Sequence, residues 1–144
     1  MDEDRIRTGV VFFCHDGKGK YLLSKRSQHC RDEQGMWDPG GGGVEFGERL
    51  EEAVVREIAE EFGAVPKEIE FMGYRDVLRV QNGKQTHWVS HDFRVLVDPS
   101  EVVNGEPHKC DALRWVTLEE LDAFPEPLHS QFPIFLKQHR HKLQ

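Results

Sequence analysis

The stretch from residue 42 to residue 64 most constrains what this chain can fold into, because it joins a glycine run to a strongly patterned helix. Its sequence is GGVEFGERLEEAVVREIAEEFGA, which places Glu57, Glu60 and Glu61 at positions i, i+3 and i+4. Residues at that spacing share one face of a helix, so three carboxylates crowd together. Each like-charge pair costs an isolated helix about 0.2–0.5 kcal/mol. Helix formation does not require this cost, which indicates a divalent cation as the compensating charge.

The apolar residues of this stretch predict a helix over residues 48–62 and the face that it buries. They form an i, i+4 stripe that must face the core: Leu50, Val54, Ile58 and Phe62. On the helical wheel Glu61 lies roughly 40° from the centre of the stripe, Glu57 about 80° and Glu60 about 140°. The carboxylates therefore run from the edge of the core toward solvent, and Gly63 is the expected C-cap.

A competing interpretation is that these glutamates are ordinary solvated charge. It suits Glu52, which we expect to pair with Arg56 at i, i+4 on the outer side of the helix. The helical wheel alone does not decide whether Glu60 binds a cation or is solvated charge. Glu57 and Glu61 fit solvated charge poorly, because both lie where the helix meets the rest of the fold.

Four consecutive glycines at residues 40–43 precede the helix and allow its backbone to approach other groups closely. The rival interpretation is a nucleotide-binding loop. The fingerprint G-x-G-x-x-G fails because Glu45 occupies its last position, and G-x-x-x-x-G-K-[ST] does not occur. We count Gly41 and Gly42 as substrate-binding residues that act through the backbone. Trp37 has two interpretations, core packing or contact with a base, and we include it among the candidate substrate contacts.

The rest of the chain predicts one domain, residues 1–144, with a mixed β-sheet covered by helices. A continuous apolar run predicts a strand at 8–14, and a turn at residues 16–19 joins it to a second strand at 20–25 as a hairpin. Two later runs predict strands at 69–80 and 85–97, and a short strand follows at 113–116. Asn82-Gly83 is a strong hairpin signal between the third and fourth runs. Thr117 and Glu120 form the capping box of a helix over 118–124, and a closing helix follows at 130–140.

Polar residues outside the helix supply further candidates for the site. Arg26, at the end of a strand shortly before the acidic motif, is a candidate phosphate contact. His87 interrupts a strand and is a candidate substrate contact, with a satisfied edge histidine as the alternative. Arg75 and Arg79 alternate along one face of a strand, and we interpret them as surface residues rather than phosphate ligands.

The charge balance excludes some classes of partner. The chain has 19 basic and 26 acidic residues and a formal net charge of −7. This argues against a nucleic-acid polymer or a membrane surface, both of which attract basic proteins. A polyanionic substrate stays compatible if metal ions bridge it to the acidic site. The first residues, MDEDRIRTG, lack the apolar core of a signal peptide, so we expect a cytoplasmic protein.

The central motif resembles the signature of the Nudix hydrolases, G-x5-E-x7-R-E-U-x-E-E-x-G-U. Every fixed position is present at the right spacing: Gly42, Glu48, Arg56, Glu57, Ile58, Glu60, Glu61 and Gly63. The last apolar position is Ala64, which is small for the pattern. One departure precedes the motif, because many members read W-x-x-P-G-G and here the proline, Pro39, comes one place early.

The resemblance implies an α/β/α sandwich around a central mixed sheet and hydrolysis of a nucleoside diphosphate linked to a further group. It also implies Mg²⁺ or Mn²⁺ as cofactor, held by Glu57, Glu60 and Glu61, with Glu57 as an alternative water-activating base. Arg56 would orient the glutamates by ion pairing. In some members the base comes from a later loop, where the candidates are Glu101 and Glu106.

The substrate that this resemblance implies is a small nucleotide, most simply a nucleoside triphosphate, oxidised forms included. ADP-ribose or a nucleotide sugar is the alternative within the enzyme class. A non-catalytic ligand-sensing module is the alternative outside it, although such a module would be expected to have lost carboxylates that are all present here. The chain is expected to be a monomer or a homodimer.

Overall fold

In a computed structural model, residues 5–144 form a single mixed sheet with helices on its two faces. The strands are β1 (Ile6–His15), β2 (Lys20–Arg26), β3 (Trp37–Asp38), β4 (Gly41–Gly43), β5 (Glu68–Gln81), β6 (Lys84–Leu96) and β7 (Cys110–Thr117). The helices are α1 (Leu50–Phe62), α2 (Leu118–Asp122) and α3 (Phe132–Leu143), with a 3-10 turn at Pro99–Glu101. The predicted mixed α/β architecture is confirmed.

Strand β1 is the centre of the sheet, whose order is β3-β2-β1-β6-β5. It runs parallel to β6 along its whole length, from the pair Ile6–His87 to the pair His15–Leu96. The predicted hairpin of β1 with β2 pairs only beside its turn, at His15 and Tyr21. Beyond that point β4 pairs antiparallel with β1, so the glycine strand lies where β2 would otherwise continue.

The second predicted hairpin, β5 with β6, is confirmed over nearly the full length of both strands. Asn82 has φ 52° and Gly83 has φ 76°. Two consecutive positive φ values are what a two-residue type I′ turn requires, and Asn-Gly adopts them at low cost. The hairpin therefore forms the outer half of the sheet and leaves β5 at its edge.

Alternating residues of β1 belong to two separate cores, one on each face of the sheet. Val10 and Phe12 pack with the apolar stripe of α1, whose buried residues include Ile58 and Phe62. Phe13 packs on the opposite face with residues of α3 such as Phe135. This arrangement gives the three-layer sandwich, with α1 and α3 in the outer layers.

Helix α1 begins two residues later than predicted, and its ends are held by local bonds. The backbone N–H of Arg49 donates to Glu52 Oε1 at 2.8 Å. Glu52 thus caps the first turn, and the predicted Glu52–Arg56 pair is wrong, because Arg56 turns to other carboxylates. Gly63 ends the helix with φ 66°, which confirms it as the C-cap. No helix of the described chain is long and apolar enough to cross a membrane.

Arg75 is buried, which corrects its interpretation as a surface residue. Only 7% of it is exposed, and its Nε donates to Asp92 Oδ2 at 2.6 Å. Asp92 is fully buried, and His139 Nε2 lies 2.7 Å from its Oδ2. The side of β5 that carries Arg75 faces α3 rather than solvent. A buried ion pair with three partners for one carboxylate, including Ser90, therefore ties β5 and β6 to the last helix.

We predict that Asp92→Asn lowers the free energy of unfolding by about 3–5 kcal/mol, because it leaves the buried Arg75 charge without its counter-ion. Chemical denaturation followed by circular dichroism measures this change. The matched control is Asp76→Asn, since Asp76 is exposed and its pair with His87 lies at the surface. That variant should lose at most about 1 kcal/mol. Equal losses in the two variants would contradict the assigned role of Asp92.

Candidate active site

The three glutamates of α1 face one cavity together with the glycine strand, which we call the glutamate cavity. Its acidic residues are Asp38, Glu57, Glu60, Glu61 and Glu106. Its remaining wall includes the glycines 40–43 and the cations Arg26 and Lys109. The side chain of Glu57 is 14% exposed and that of Glu60 is 49% exposed, so the patch runs from the core outward as the wheel predicts.

Arg56 holds the loop before α1 against the helix through its whole guanidinium group. Its Nε donates to Glu48 Oε2 at 2.7 Å, and its Nη1 donates to Glu57 Oε1 at 2.8 Å. Its Nη2 donates to the carbonyl oxygen of Gly43 at 3.0 Å. Glu60 lies further away, at 3.6 Å. The charge-assisted bonds from Arg56 lower the pKa of Glu48 to about 2.

Gly42 is a position where any side chain would displace the carboxylate of Glu57. A Cβ atom built on Gly42 would lie 2.3–2.6 Å from the carboxyl atoms of Glu57, which is closer than atoms can approach. The glycine therefore allows the β4 backbone to pack directly against Glu57. Because β4 also pairs with β1 through Val10 and Gly42, the carboxylate is fixed relative to the centre of the sheet.

A second close approach brings Glu106 to the site. The N–H of Gly105 donates to the carbonyl oxygen of Glu61 at 2.9 Å, and the N–H of Val103 donates to that of Phe62. The loop thus satisfies carbonyl groups at the end of α1 that have no partner within the helix. Glu106 follows directly and lines the glutamate cavity, whereas Glu101 accepts a bond from the N–H of Val65 outside it.

Burial, followed by mutual repulsion, governs the electrostatics of the glutamate cavity. Burial raises the pKa of Glu61 well above its usual value, and the charges of Asp38, Glu57 and Glu106 raise it further. Burial also raises the pKa of Asp38 to about 6, although Arg26 opposes the shift. A cluster of carboxylates that disfavours its own ionisation is matched by a hard divalent cation, which prefers oxygen ligands.

The donor set fits Mg²⁺ or Mn²⁺ by chemistry. Within residues 5–144 no three His, Cys, Asp or Glu side chains converge as a ready-formed metal site. The geometry explains this, because Glu57 Oε1 is directed to Arg56 and Glu60 Oε2 also lies nearest that arginine. Metal binding at these three glutamates therefore requires side-chain rotation, which the partly exposed Glu60 can make.

Two of the predicted substrate contacts lie elsewhere. Trp37 is 4% exposed, its ring packs against Phe124 and its Nε1 donates to Glu126 Oε1 at 3.1 Å. His87 is bonded to Asp76 near the tip of the β5–β6 hairpin. Neither residue lines the glutamate cavity, and the packing interpretation of Trp37 is the one that the structure favours.

The other predicted substrate contacts, Arg26, Gly41 and Gly42, lie at the boundary between the glutamate cavity and a second cavity. This sheet cavity has a volume of about 350 Å³, within the range of roughly 300–1,000 Å³ for small-molecule sites. It lies between the sheet and α3, and its walls include Val11, Val77, Trp88, Phe132 and Phe135. The two cavities meet along Arg26, Asp38 and the glycines 40–43, which line both.

Sequence reasoning missed Asp38, Arg75 and Trp88 as cavity residues. Asp38 had a local signal, since an acid directly before the glycine run must lie beside it. Arg75 and Trp88 had no local sequence signal, because their positions in the cavity depend on which side of β5 and β6 the last helix covers.

Comparison with known proteins agrees with this geometry. The family model described as NUDIX domain matches residues 5–138. The chain therefore belongs to the Nudix family, as the motif over residues 42–64 predicts. Among solved structures, a MutT Nudix hydrolase from Burkholderia pseudomallei superposes with a TM-score of 0.80 at 31% identity, covering 94% of this chain and 98% of that one.

Two further similar proteins are described with different nucleotides, a nucleoside triphosphate for one and ADP ribose for the other. The nucleoside triphosphatase NudI of Salmonella arizonae is 45% identical over 65 residues, so the match spans 44% of this chain and 46% of that protein. The Nudix domain of Shewanella oneidensis NrtR, solved in complex with ADP ribose, has a TM-score of 0.65 at 24% identity over 98% of this chain and 90% of that one. The latter likeness concerns the fold alone.

We predict that Gly42→Ala lowers kcat by about 100-fold, because its methyl group displaces the carboxylate of Glu57. The comparison variant is Gly43→Ala, whose Cβ would meet only the Trp88 ring, at 3.8 Å. That variant should lose much less activity. Steady-state kinetics with a turned-over nucleotide measures both, and thermal melts verify that both are folded. A loss in Gly43→Ala as large as that in Gly42→Ala would contradict the steric explanation.

Proposed function

We propose that the chain is a metal-dependent pyrophosphohydrolase that cleaves a diphosphate linkage in a small nucleotide. The observation that carries the proposal is that Glu57, Glu60 and Glu61 all line one cavity beside the glycine strand. An adjoining cavity with apolar walls supplies room for the rest of the nucleotide. Phosphates would lie in the glutamate cavity and the base in the sheet cavity, with Arg26 at the junction.

The chain's own residues have separate tasks in this reaction. Glu57, Glu60 and Glu61 would hold Mg²⁺ or Mn²⁺, which when bound neutralises phosphate oxygens and acidifies a water molecule. Arg56 orients Glu57 and fixes the loop through Gly43. The glycine backbone, at Gly41 and Gly42, allows phosphates to approach closely. Glu57 or Glu106 would accept the proton of the attacking water, since both line the glutamate cavity.

A nucleoside triphosphate is the preferred substrate class, with the β-phosphate and γ-phosphate leaving as pyrophosphate. The support is the likeness to a nucleoside triphosphatase over the 65 matched residues, together with a sheet cavity of about 350 Å³ with apolar walls. ADP-ribose is the second candidate, and the structure of the NrtR domain with ADP ribose favours its inclusion in any substrate panel.

We predict that Glu60→Gln and Glu61→Gln each reduce turnover by about 100-fold or more, because each removes a carboxylate ligand. The assay incubates the protein and Mg²⁺ with nucleoside triphosphates, ADP-ribose and sugar nucleotides, and then separates pyrophosphate from orthophosphate. Pyrophosphate release from a triphosphate indicates cleavage between the α and β phosphates. The control is Glu51→Gln, on the exposed first turn of α1, which should keep wild-type activity.

Absence of turnover with every substrate, with wild type equal to Glu60→Gln, would overturn the enzyme proposal and favour a ligand-sensing module. Ligand binding without hydrolysis would identify that module.

Removal of the metal gives an independent test. We expect EDTA to abolish turnover and Mg²⁺ or Mn²⁺ to restore it. We also expect millimolar Mg²⁺ to raise the Tm of the wild-type protein, because a ligand that binds only the folded state stabilises it. The shift should vanish in Glu61→Gln and persist in Glu51→Gln. An equal shift in all three proteins would show that the ion does not bind at these glutamates.

A further inference from the structure

One residue that lines the sheet cavity, Arg75, has a hydrogen-bond donor without an acceptor. Among the buried side-chain nitrogen and oxygen atoms of residues 5–144, Nη1 of Arg75 has no hydrogen-bond partner in the protein. The other donors of this guanidinium are engaged: Nε and Nη2 donate to Asp92, and Nη2 also donates to Ser90. A buried donor without an acceptor costs about 1–3 kcal/mol. Because Arg75 lines the sheet cavity, a ligand bound there is placed to supply the acceptor that Nη1 lacks.

The guanidinium is held in a fixed position, so its free donor is preorganised. The ion pair with Asp92 engages two of its three nitrogens, and its carbon lies 5.4 Å from the centre of the Phe135 ring, over the face. His139 in turn holds Asp92 from α3. Because the surrounding groups are buried, Arg75 cannot rotate to satisfy Nη1 elsewhere without breaking this network.

The register of the sheet places Arg75 at the far end of the cavity from the glutamates. Arg75 pairs with Ser90, Ser90 pairs with Gly9, and Gly9 pairs with Gly43. Three strand spacings therefore separate Arg75 from the glycine strand, about 14 Å between backbones. Gly9 and Gly43 carry no side chains, and the ring of Trp88 lies over both and forms the floor between the two ends. A nucleotide with its phosphates at the glutamates would extend its base toward Arg75.

The charges around the cavity determine the kind of acceptor that fits. Each cation on its wall is already paired: Arg75 with Asp92, Arg26 with Asp32 and Asp38, and Arg79 with Asp32 and Glu33. No excess positive charge is left to compensate a buried phosphate or carboxylate. The acceptor is therefore a neutral group, and the apolar walls favour one carried on an aromatic ring.

We propose that Arg75 is a specificity-determining residue whose Nη1 donates a hydrogen bond to an exocyclic carbonyl oxygen of the substrate base. This inference rests on the proposed function for its choice of a nucleotide. It selects oxo bases, such as guanine, hypoxanthine, uracil and thymine, over adenine. Adenine carries an amino group where hypoxanthine carries its carbonyl, and two donors facing each other would leave both unsatisfied.

The sharpest test changes one edge of the base and leaves the protein intact. Inosine 5′-monophosphate carries the base carbonyl and a hydrogen on the adjacent ring nitrogen, and purine-riboside 5′-monophosphate lacks both; calorimetric titration of wild-type protein measures both affinities. A hydrogen bond to a charged donor predicts about 10- to 100-fold tighter binding of the inosine compound. Equal affinities, or tighter binding of the purine compound, would overturn the inference. Both ligands lack the scissile linkage, so the result is independent of catalysis.

A protein variant then tests whether Arg75 is the donor. Arg75→Lys keeps a positive charge for Asp92 but loses the free Nη1, so the affinity ratio of the two ligands should fall to near 1. The matched control is Arg94→Lys, on β6 outside the sheet cavity, which should retain the wild-type ratio. A wild-type ratio in Arg75→Lys would assign the discrimination to another residue. If Arg75→Lys does not fold, the ligand pair on wild type decides.

Hydrolysis separates failure of this inference from failure of the proposed function. Wild type should turn over inosine 5′-triphosphate with a kcat/KM about 10- to 100-fold higher than that of purine-riboside 5′-triphosphate, mainly through KM. Equal and substantial rates would overturn the role of Arg75 and leave the pyrophosphohydrolase standing. No hydrolysis of either compound, with inosine monophosphate still preferred in the titration, would overturn the function and leave the base recognition standing.

Discussion

The backbone pairing of the glycine strand β4 with β1 is the constraint on which the site depends. Gly41 and Gly43 lie where β2 would otherwise continue beside β1, so β2 separates from β1 after a single pair near the turn. Because no side chains occupy this strand, α1 packs against it closely enough to press Glu57 onto Gly42. The same strand borders both cavities, one on each side of the sheet. Because β4 has no side chains, the acidic site and the sheet cavity meet along it.

Arg56 converts a repulsive cluster into an ordered one. It binds Glu48, Glu57 and the carbonyl of Gly43 at once, which fixes the loop, the helix and the glycine strand relative to each other. These pairs are partly buried. The bonds from Arg56 orient the carboxylates. The carboxylates that remain crowded around Glu61 gain most from a bound cation. The same few carboxylates therefore have a fixed geometry and still repel one another.

The opposite face of the sheet uses charge differently. There Arg75, Asp92 and His139 form a buried network that attaches α3 to the hairpin of β5 and β6. The network neutralises its own charge and still leaves one donor of Arg75, a residue that lines the sheet cavity, without a partner in the protein. One guanidinium thus has a structural task and an open hydrogen-bonding position. The acidic face can attract a metal and phosphates, whereas the neutral face suits a base.

The sequence by itself determined the acidic helix, its burial, its glycine cap, the Asn-Gly hairpin and the family. These features depend on local spacing and turn chemistry, which are readable along the chain. Tertiary structure alone decided that Arg75 is buried, that Trp37 is a packing residue, and that Glu106 rather than Glu101 reaches the glutamates. Those outcomes depend on which sheet face α3 covers and on where Gly105 meets the end of α1. Long-range packing sets both, and no short-range pattern encodes it.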